Sequence, residues 1–185
     1  PKYNYKYYSE PEANLKNRRL FCPRGKMIGG CSAHNGMVYV RGNPNDYERW
    51  ASFGLPSWSY KNVLPYFKKI ENWSGGENKY RGSGGLLPVN QSTNNNPLFK
   101  AFIKSAGEAG YKINPDMNGK DQEGFGMYDV NIDKGERASV SKHYLKPVMK
   151  RKNLNIFSNA FVEKIIFDGQ KAIGIEVKIK NKIEK

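Results

Sequence analysis

A mixed α/β (α+β) fold follows from three features of this 185-residue chain. Segments 59–70 and 97–110 carry apolar residues at helical spacing. From residue 154 onward the pattern changes to period two, with a turn at Asp168 and Gly169, which predicts strands and a hairpin. Between these and the start of the chain, Gly29 and Gly30 stand side by side before Cys31, Ser32 and Ala33, followed by the apolar run Met37, Val38, Tyr39 and Val40. Adjacent residues without a Cβ let backbone N–H groups approach a bulky ligand, and the run is expected to bury what leaves the turn, which together make a cofactor wall.

Residues 1–22 mix tyrosines, prolines and polar residues without helical period, so they are expected to be extended segments and loops, whose tyrosines either stack on a planar ligand ring or, as the simpler reading, pack on neighbouring protein. Asp46, Tyr47, Trp50 and Ala51 fit a short amphipathic helix ended by Gly54, Leu55 and Pro56. Ser59 is a candidate N-cap for the next helix, in which Val63, Leu64, Phe67 and Ile70 form a core stripe and Pro65 is expected to open a second short helix. Residues 74–85 read as a flexible loop, weak as a phosphate cradle because the third glycine and a preceding strand are lacking. A short strand is expected over 86–89.

Asn94, Asn95 and Asn96 lead into a helix with Asn96 as cap and Pro97 in the first turn. Its apolar face is Leu98, Phe102, Ala106 and Ala109, joined by Phe99 and Ile103, and Gly110 ends it. A turn at Asn118 and Gly119 precedes a strand over roughly 125–132. Leu154 and Ile156 are expected in one strand, Val162 to Phe167 in a second, and Ile173 to Val177 in its return. His143, in the helix after Ser141, reads as structural or exposed.

The chain carries 31 Lys and Arg against 17 Asp and Glu, a formal charge of +14. Such a balance favours polyanions. The lysines are nevertheless scattered through every segment, without zinc spacing, a basic heptad helix or an aromatic-interleaved RNA-binding pattern, so a lysine-biased proteome explains the charge more simply than nucleic-acid binding. Cys22 and Cys31 form no CxxC pair and no metal site, and a reducing compartment is the default. Hydrophobic content of 38% is that of a folded chain. No apolar run reaches the roughly 20 residues of a membrane span, so the protein is expected to be cytoplasmic or peripherally membrane-associated. With Pro1 first and no basic-then-apolar leader, the sequence reads as an internal fragment.

Gly25, Lys26, Ile28, Gly29, Gly30, Ser32, Asn35, Tyr39 and Gly42, nine positions in register over eighteen residues, closely resemble the first signature of the glucose-methanol-choline (GMC) family of FAD-dependent alcohol oxidoreductases. Cys31 replaces the usual serine and His34 an aliphatic residue. In this the loop resembles the choline oxidase branch, and Asn17, Arg18, Arg19, Cys22, Pro23, Arg24, Gly25 and Lys26 resemble the approach seen in choline dehydrogenase-like members. Gly135, Arg137, Ser139 and Tyr144 resemble a further family segment.

The resemblance implies a two-domain flavoenzyme. Residues 1–72 would be a segment of the FAD-binding domain with its lid, 73–134 a substrate-domain segment, and 135–185 a return to the FAD-binding domain. It further implies that Gly29, Gly30, Cys31, Ser32, Ala33, His34, Asn35, Gly36, Met37 and Val38 lie at the flavin, with Asn35 orienting it. Backbone at Val162 would meet the adenine end, although Val162 equally reads as a core valine. His34 would bond the flavin covalently; the alternative is a histidine hydrogen-bonded in the core. Cys31 reads as a small buried residue, and Arg24 and Lys26 either neutralise a pyrophosphate or are solvated loop charges.

The implied reaction is hydride transfer from an alcohol carbon to flavin, giving an aldehyde or ketone. Choline-like alcohols lead as substrates, other primary alcohols or sugars stay open, and the electron acceptor is oxygen or a quinone or other carrier. No residue here is expected to be the catalytic base, the family's pyrophosphate loop and histidine pair falling outside this chain. The competing reading is a non-catalytic flavin-domain relative or a basic nucleic-acid module.

Overall fold

The computed structural model describes residues 2–93, 95–180 and 182–184. The chain divides into two compact units, one ending at Pro147 and the other starting at Val148.

In the first unit, β1 (Tyr7–Tyr8) and β2 (Phe21–Cys22) pair antiparallel, with Tyr7 opposite Cys22. Tyr5 stacks on Tyr7, and Tyr8 packs against Phe21, so these aromatics find protein partners although Tyr7, Tyr8 and Phe21 stay exposed. The hairpin delivers the chain to the glycine turn. Next come β3 (Val38–Tyr39) and α1 (Pro44–Ser52). Asn43 caps α1 by accepting from the Asn45 N–H at 2.9 Å, and Pro44 occupies the first turn, where its missing N–H costs nothing.

Helix α2 (Tyr60–Ile70) is continuous through Pro65, so the expected break there does not occur. The helix gives up one internal bond and keeps Val63, Leu64 and Phe67 half-buried, whereas Ile70 is exposed. Ser59 precedes it without a side-chain cap. Glu48 of α1 accepts from the Tyr60 N–H at 2.9 Å, a tertiary contact in place of the local one.

A four-stranded sheet organises this unit, in the order β3, β6 (Asp129–Val130), β5 (Leu87–Gln91), β4 (Glu71–Trp73). β4 and β5 are parallel and the other pairs antiparallel. Helix α3 (Pro97–Glu108) has the expected cap, Asn96 accepting from the Leu98 N–H at 2.9 Å; Asn94 lies outside the described residues. Its inward face is Phe99, Ile103 and Ala106, while Leu98 and Phe102 of the expected stripe are exposed. The strand expected over 125–132 is two short pieces, β6 and β7 (Ile132–Asp133), the latter paired with β8 (Glu136–Arg137).

The second unit is an antiparallel sheet of β9 (Ala160–Asp168), β10 (Lys171–Ile179) and β11 (Lys182–Glu184), with Gly169 at positive φ in the predicted turn. Leu154 and Ile156 are not in a strand. Among the described residues no helix is long and apolar enough to cross a membrane.

The core of the first unit is charged. Arg41 and Arg81 are buried with Glu71 between them, and Arg81 also donates to Asp116 at 2.5 Å and to Asp129 at 2.8 Å. Burial lowers the proton affinity of Arg81, but Glu71 and Asp129 outweigh it and raise its pKa above the usual value. Asn118, also buried, accepts from the Arg41 N–H and donates to the Tyr39 carbonyl and to Asp129.

The stretch 74–85 is therefore not a loose loop at its C-terminal end. The Gly82 N–H donates to Glu71 at 2.7 Å, and a Cβ on Gly82 would stand 2.0 Å from the Lys68 carbonyl oxygen. A Cβ on Gly85 would meet the Ile70 carbonyl at 2.3 Å. These glycines permit backbone to lie on backbone beneath α2.

Candidate functional site

The glycine turn is built by close approach on one side and openness on the other. A Cβ on Gly25 would lie 2.3 Å from the Gly30 carbonyl oxygen, so the segment entering the turn rests on the turn itself. Gly29 (φ 93°) backs onto Ser141, whose Oγ would be 3.0 Å from an added Cβ. Gly30 (φ 53°) and Gly36 instead face open space, with nothing within 4 Å. Residues 30–33 form one 3₁₀ turn.

Its side chains divide by direction. Ser32 Oγ donates to the Gly29 carbonyl at 2.5 Å and accepts from the Val140 N–H at 3.0 Å, so the hydroxyl serves the loop's own fold. Cys31 is exposed, accepting from the Gly25 N–H at 3.4 Å, and is not the small buried residue expected. The His34 imidazole is also exposed and has no hydrogen-bond partner among the described residues, which sets aside a histidine bonded within the core. Asn35 Oδ1 accepts from the Met37 N–H at 3.1 Å and from Arg137 at 2.7 Å, which leaves its amide NH₂ free of the turn's own bonding. Met37 has φ 62°, the left-handed region that a side chain occupies at a cost.

The apolar run after the turn alternates. Tyr39 is buried, whereas Val38 and Val40 are more than half exposed, as is Ile28 before the turn. Of the run expected to bury what leaves the turn, Tyr39 alone is buried, because along an extended strand successive side chains point to opposite faces. Burial raises the Tyr39 pKa, opposed by the Arg41 bond and reinforced by Glu71.

These residues fit a large planar group with a polar rim. Two glycines border open space, apolar surface stands exposed beside them, and the Gly36 N–H has no acceptor among the described residues. Arg24 and Lys26 are exposed, Arg24 donating to the Pro23 carbonyl and Lys26 lying over the Tyr5 ring. The structure thus brings residues 29–38 together in one turn and strand.

Val162 is placed in the second unit, on β9 opposite Val177. There it lines a concavity of about 450 Å³ with Phe157, Ala160, Ile175 and Ile179. His143, after Ser141, lies 3.9 Å from Asp133 with its Nε2 buried and unbonded among the described residues.

The residue whose part in the turn the sequence does not reveal is Arg137. Its Nη1 reaches the Asn35 carbonyl at 2.6 Å, Asn35 Oδ1 at 2.7 Å and the Ser32 carbonyl at 3.4 Å. Its membership of a glycine, arginine, serine segment is a signal, but nothing in one sequence connects it to a loop about a hundred residues earlier.

Comparison with known proteins gives a consistent result. The family model described as GMC oxidoreductase matches residues 12–185. The chain is 46% identical over 183 residues to a protein named oxygen-dependent choline dehydrogenase from Rhizobium etli (strain CIAT 652), covering 99% of this chain and 33% of that protein. Among solved structures it is similar to pyridoxine 4-oxidase from Mesorbium loti (TM-score 0.89, 29% identity, 100% of this chain and 37% of that one). It is also similar to an FAD-dependent oxidoreductase from Chaetomium thermophilum (TM-score 0.84, 28% identity, 98% and 34%). The chain spans about a third of the length of the curated relatives it matches. With the signature turn folded as described and the family model matched over nearly its whole length, the chain belongs to the GMC oxidoreductase family.

Proposed function

We propose that the intact protein is an FAD-dependent oxidoreductase acting on CH–OH groups, with a choline-like alcohol as donor and oxygen or a quinone-type carrier as acceptor. The observation that carries this reading is the open side of the glycine turn, where Gly30 and Gly36 border space and the Gly36 N–H lacks an acceptor among the described residues. The choline-like substrate is favoured by the choline dehydrogenases among the relatives and by the pair Cys31 and His34.

A flavin held at this turn would supply the hydride acceptor for oxidation of the alcohol to an aldehyde, the hydroxyl proton going to a base. This chain's own part is to hold that group. Gly30 and Gly36 leave room for it, the Gly36 N–H offers a donor, and Ile28, Val38 and Val40 supply apolar surface that excludes water when covered. Cys31, Ala33 and the Asn35 amide line the same turn, and Val162 on the second unit would take the adenine end. In this reading residues 1–72 and 135–185 belong to the FAD-binding domain and 73–134 to the substrate domain. No residue of this chain is assigned as the base that takes the hydroxyl proton.

His34, exposed and without a hydrogen-bond partner among the described residues, would carry the flavin covalently. Purification and acid precipitation of the intact protein test both levels. A yellow protein that reduces its flavin on adding choline, and a pellet that keeps the colour, are expected. A colourless protein overturns the flavoenzyme reading, colour without reduction by choline overturns the substrate, and flavin released into the supernatant overturns the bond.

A further inference from the structure

The flavin-side turn does not hold its own shape. Its two carbonyls at Ser32 and Asn35 and the Asn35 side-chain oxygen converge on a single guanidinium, that of Arg137, at 3.4, 2.6 and 2.7 Å. Two further contacts come from the same short segment. The Val140 N–H donates to Ser32 Oγ at 3.0 Å, and Ser141 lies against the Cα of Gly29. Opposing them is Met37 in the left-handed region, whose N–H is tied to the same Asn35 oxygen. A backbone held in an unfavoured conformation persists only when its surroundings fix it.

We propose that Arg137 is a positioning residue for the flavin: its guanidinium locks the Ser32–Met37 backbone in the conformation that keeps Gly36 and the Asn35 amide turned to the cofactor. The inference rests on the flavoenzyme reading above and adds to it a residue that does not itself line the open side. All three contacts are made by one nitrogen, Nη1, at the tip of a rigid planar group that reaches farther from the backbone than a lysine ammonium, so the shorter, flexible lysine stem does not bring its nitrogen to the same three oxygens. The claim therefore distinguishes arginine from lysine and not charge from neutrality.

The test compares intact wild-type protein with Arg137→Lys and Arg137→Met, each stripped of flavin where the bond permits or purified from flavin-limited cells. The readouts are FAD affinity by flavin fluorescence quenching, the visible circular dichroism of the bound flavin, and thermal melting of the flavin-free protein. Both variants are expected to bind FAD about tenfold or more weakly, corresponding to the loss of at least one charge-assisted bond. They are also expected to show an altered visible dichroism, with flavin-free melting of Arg137→Lys unchanged, and guanidinium added to Arg137→Met should recover part of the affinity. If Arg137→Met does not fold, Arg137→Lys decides alone. Wild-type affinity and dichroism in Arg137→Lys overturn the inference while leaving the flavoenzyme reading intact. A wild-type protein that binds no flavin overturns that reading and this inference with it.

Discussion

Arg81, with no exposed surface, donates to Asp129 at 2.8 Å across the sheet, joining the end of the 74–85 segment to β6. A buried charge pair is weak grounds for stability in itself, because desolvation offsets most of the Coulomb gain. Removing one partner is costly, because the other charge is left buried alone.

Arg81→Met is therefore expected to destabilise the intact protein by about 3–5 kcal/mol in urea unfolding. Asp129→Asn in the same background should cost less than it does alone, by a coupling of about 1–3 kcal/mol. Strict additivity of the two would contradict the pair seen here.

Gly82 and Gly84 separate close approach from free space. A Cβ at Gly82 meets the Lys68 carbonyl, whereas one at Gly84 meets nothing within 4 Å. Gly82→Ala should lower the melting temperature strongly, with a cost of about 2–4 kcal/mol from forced backbone shift. Gly84→Ala should be neutral or stabilising by about 0.5 kcal/mol through the unfolded chain. Equal effects at the two positions would refute the packing of this segment under α2.

Stability should also fall at alkaline pH. Burial raises the Tyr39 pKa above its ordinary 10.0, so the unfolded chain ionises first while the folded one keeps the proton. The contribution is fully present below about pH 10 and is lost as pH rises through the folded value. Denaturant midpoints measured from pH 8 to 11 should decline at the top of the range, and the decline should be shallower in Tyr39→Phe. Parallel curves would exclude Tyr39 as a source.

Cys31 provides a chemical footprint of the site. It is exposed on the turn, while Cys22 is half-buried. Iodoacetamide should label Cys31 in flavin-free intact protein, and FAD should slow that labelling about tenfold or more, as expected of a thiol covered by a ligand with most of its surface buried. Labelling of Cys31 at the same rate with and without FAD would remove it from the flavin wall.

Local signals were readable where chemistry is local. Asn96 and Pro97 marked the start of α3, Asp168 and Gly169 marked the hairpin, and the spacing of Gly29, Gly30, Ser32 and Asn35 pointed to the family. What stayed hidden depends on partners distant in sequence. The sequence offers Ser59 as a cap, yet Glu48 accepts from the Tyr60 N–H, and it offers Pro65 as a break, yet α2 runs through it. Arg41, Glu71 and Arg81 are residue types whose usual place is the surface, and only the fold that pairs them reveals them as core. The exposure of Val38 and Val40 followed from strand alternation, a period too short to register in a four-residue run.

The Arg137 clamp on the glycine turn spans 102 residues of sequence, from Asn35 to Arg137. During synthesis, therefore, the turn emerges and waits while about a hundred further residues are translated before the group that sets its shape exists. Contacts of such long separation form late. If the turn holds the flavin as proposed, cofactor capture is a closing event in maturation, and a nascent chain stalled before Arg137 would present an unshaped turn.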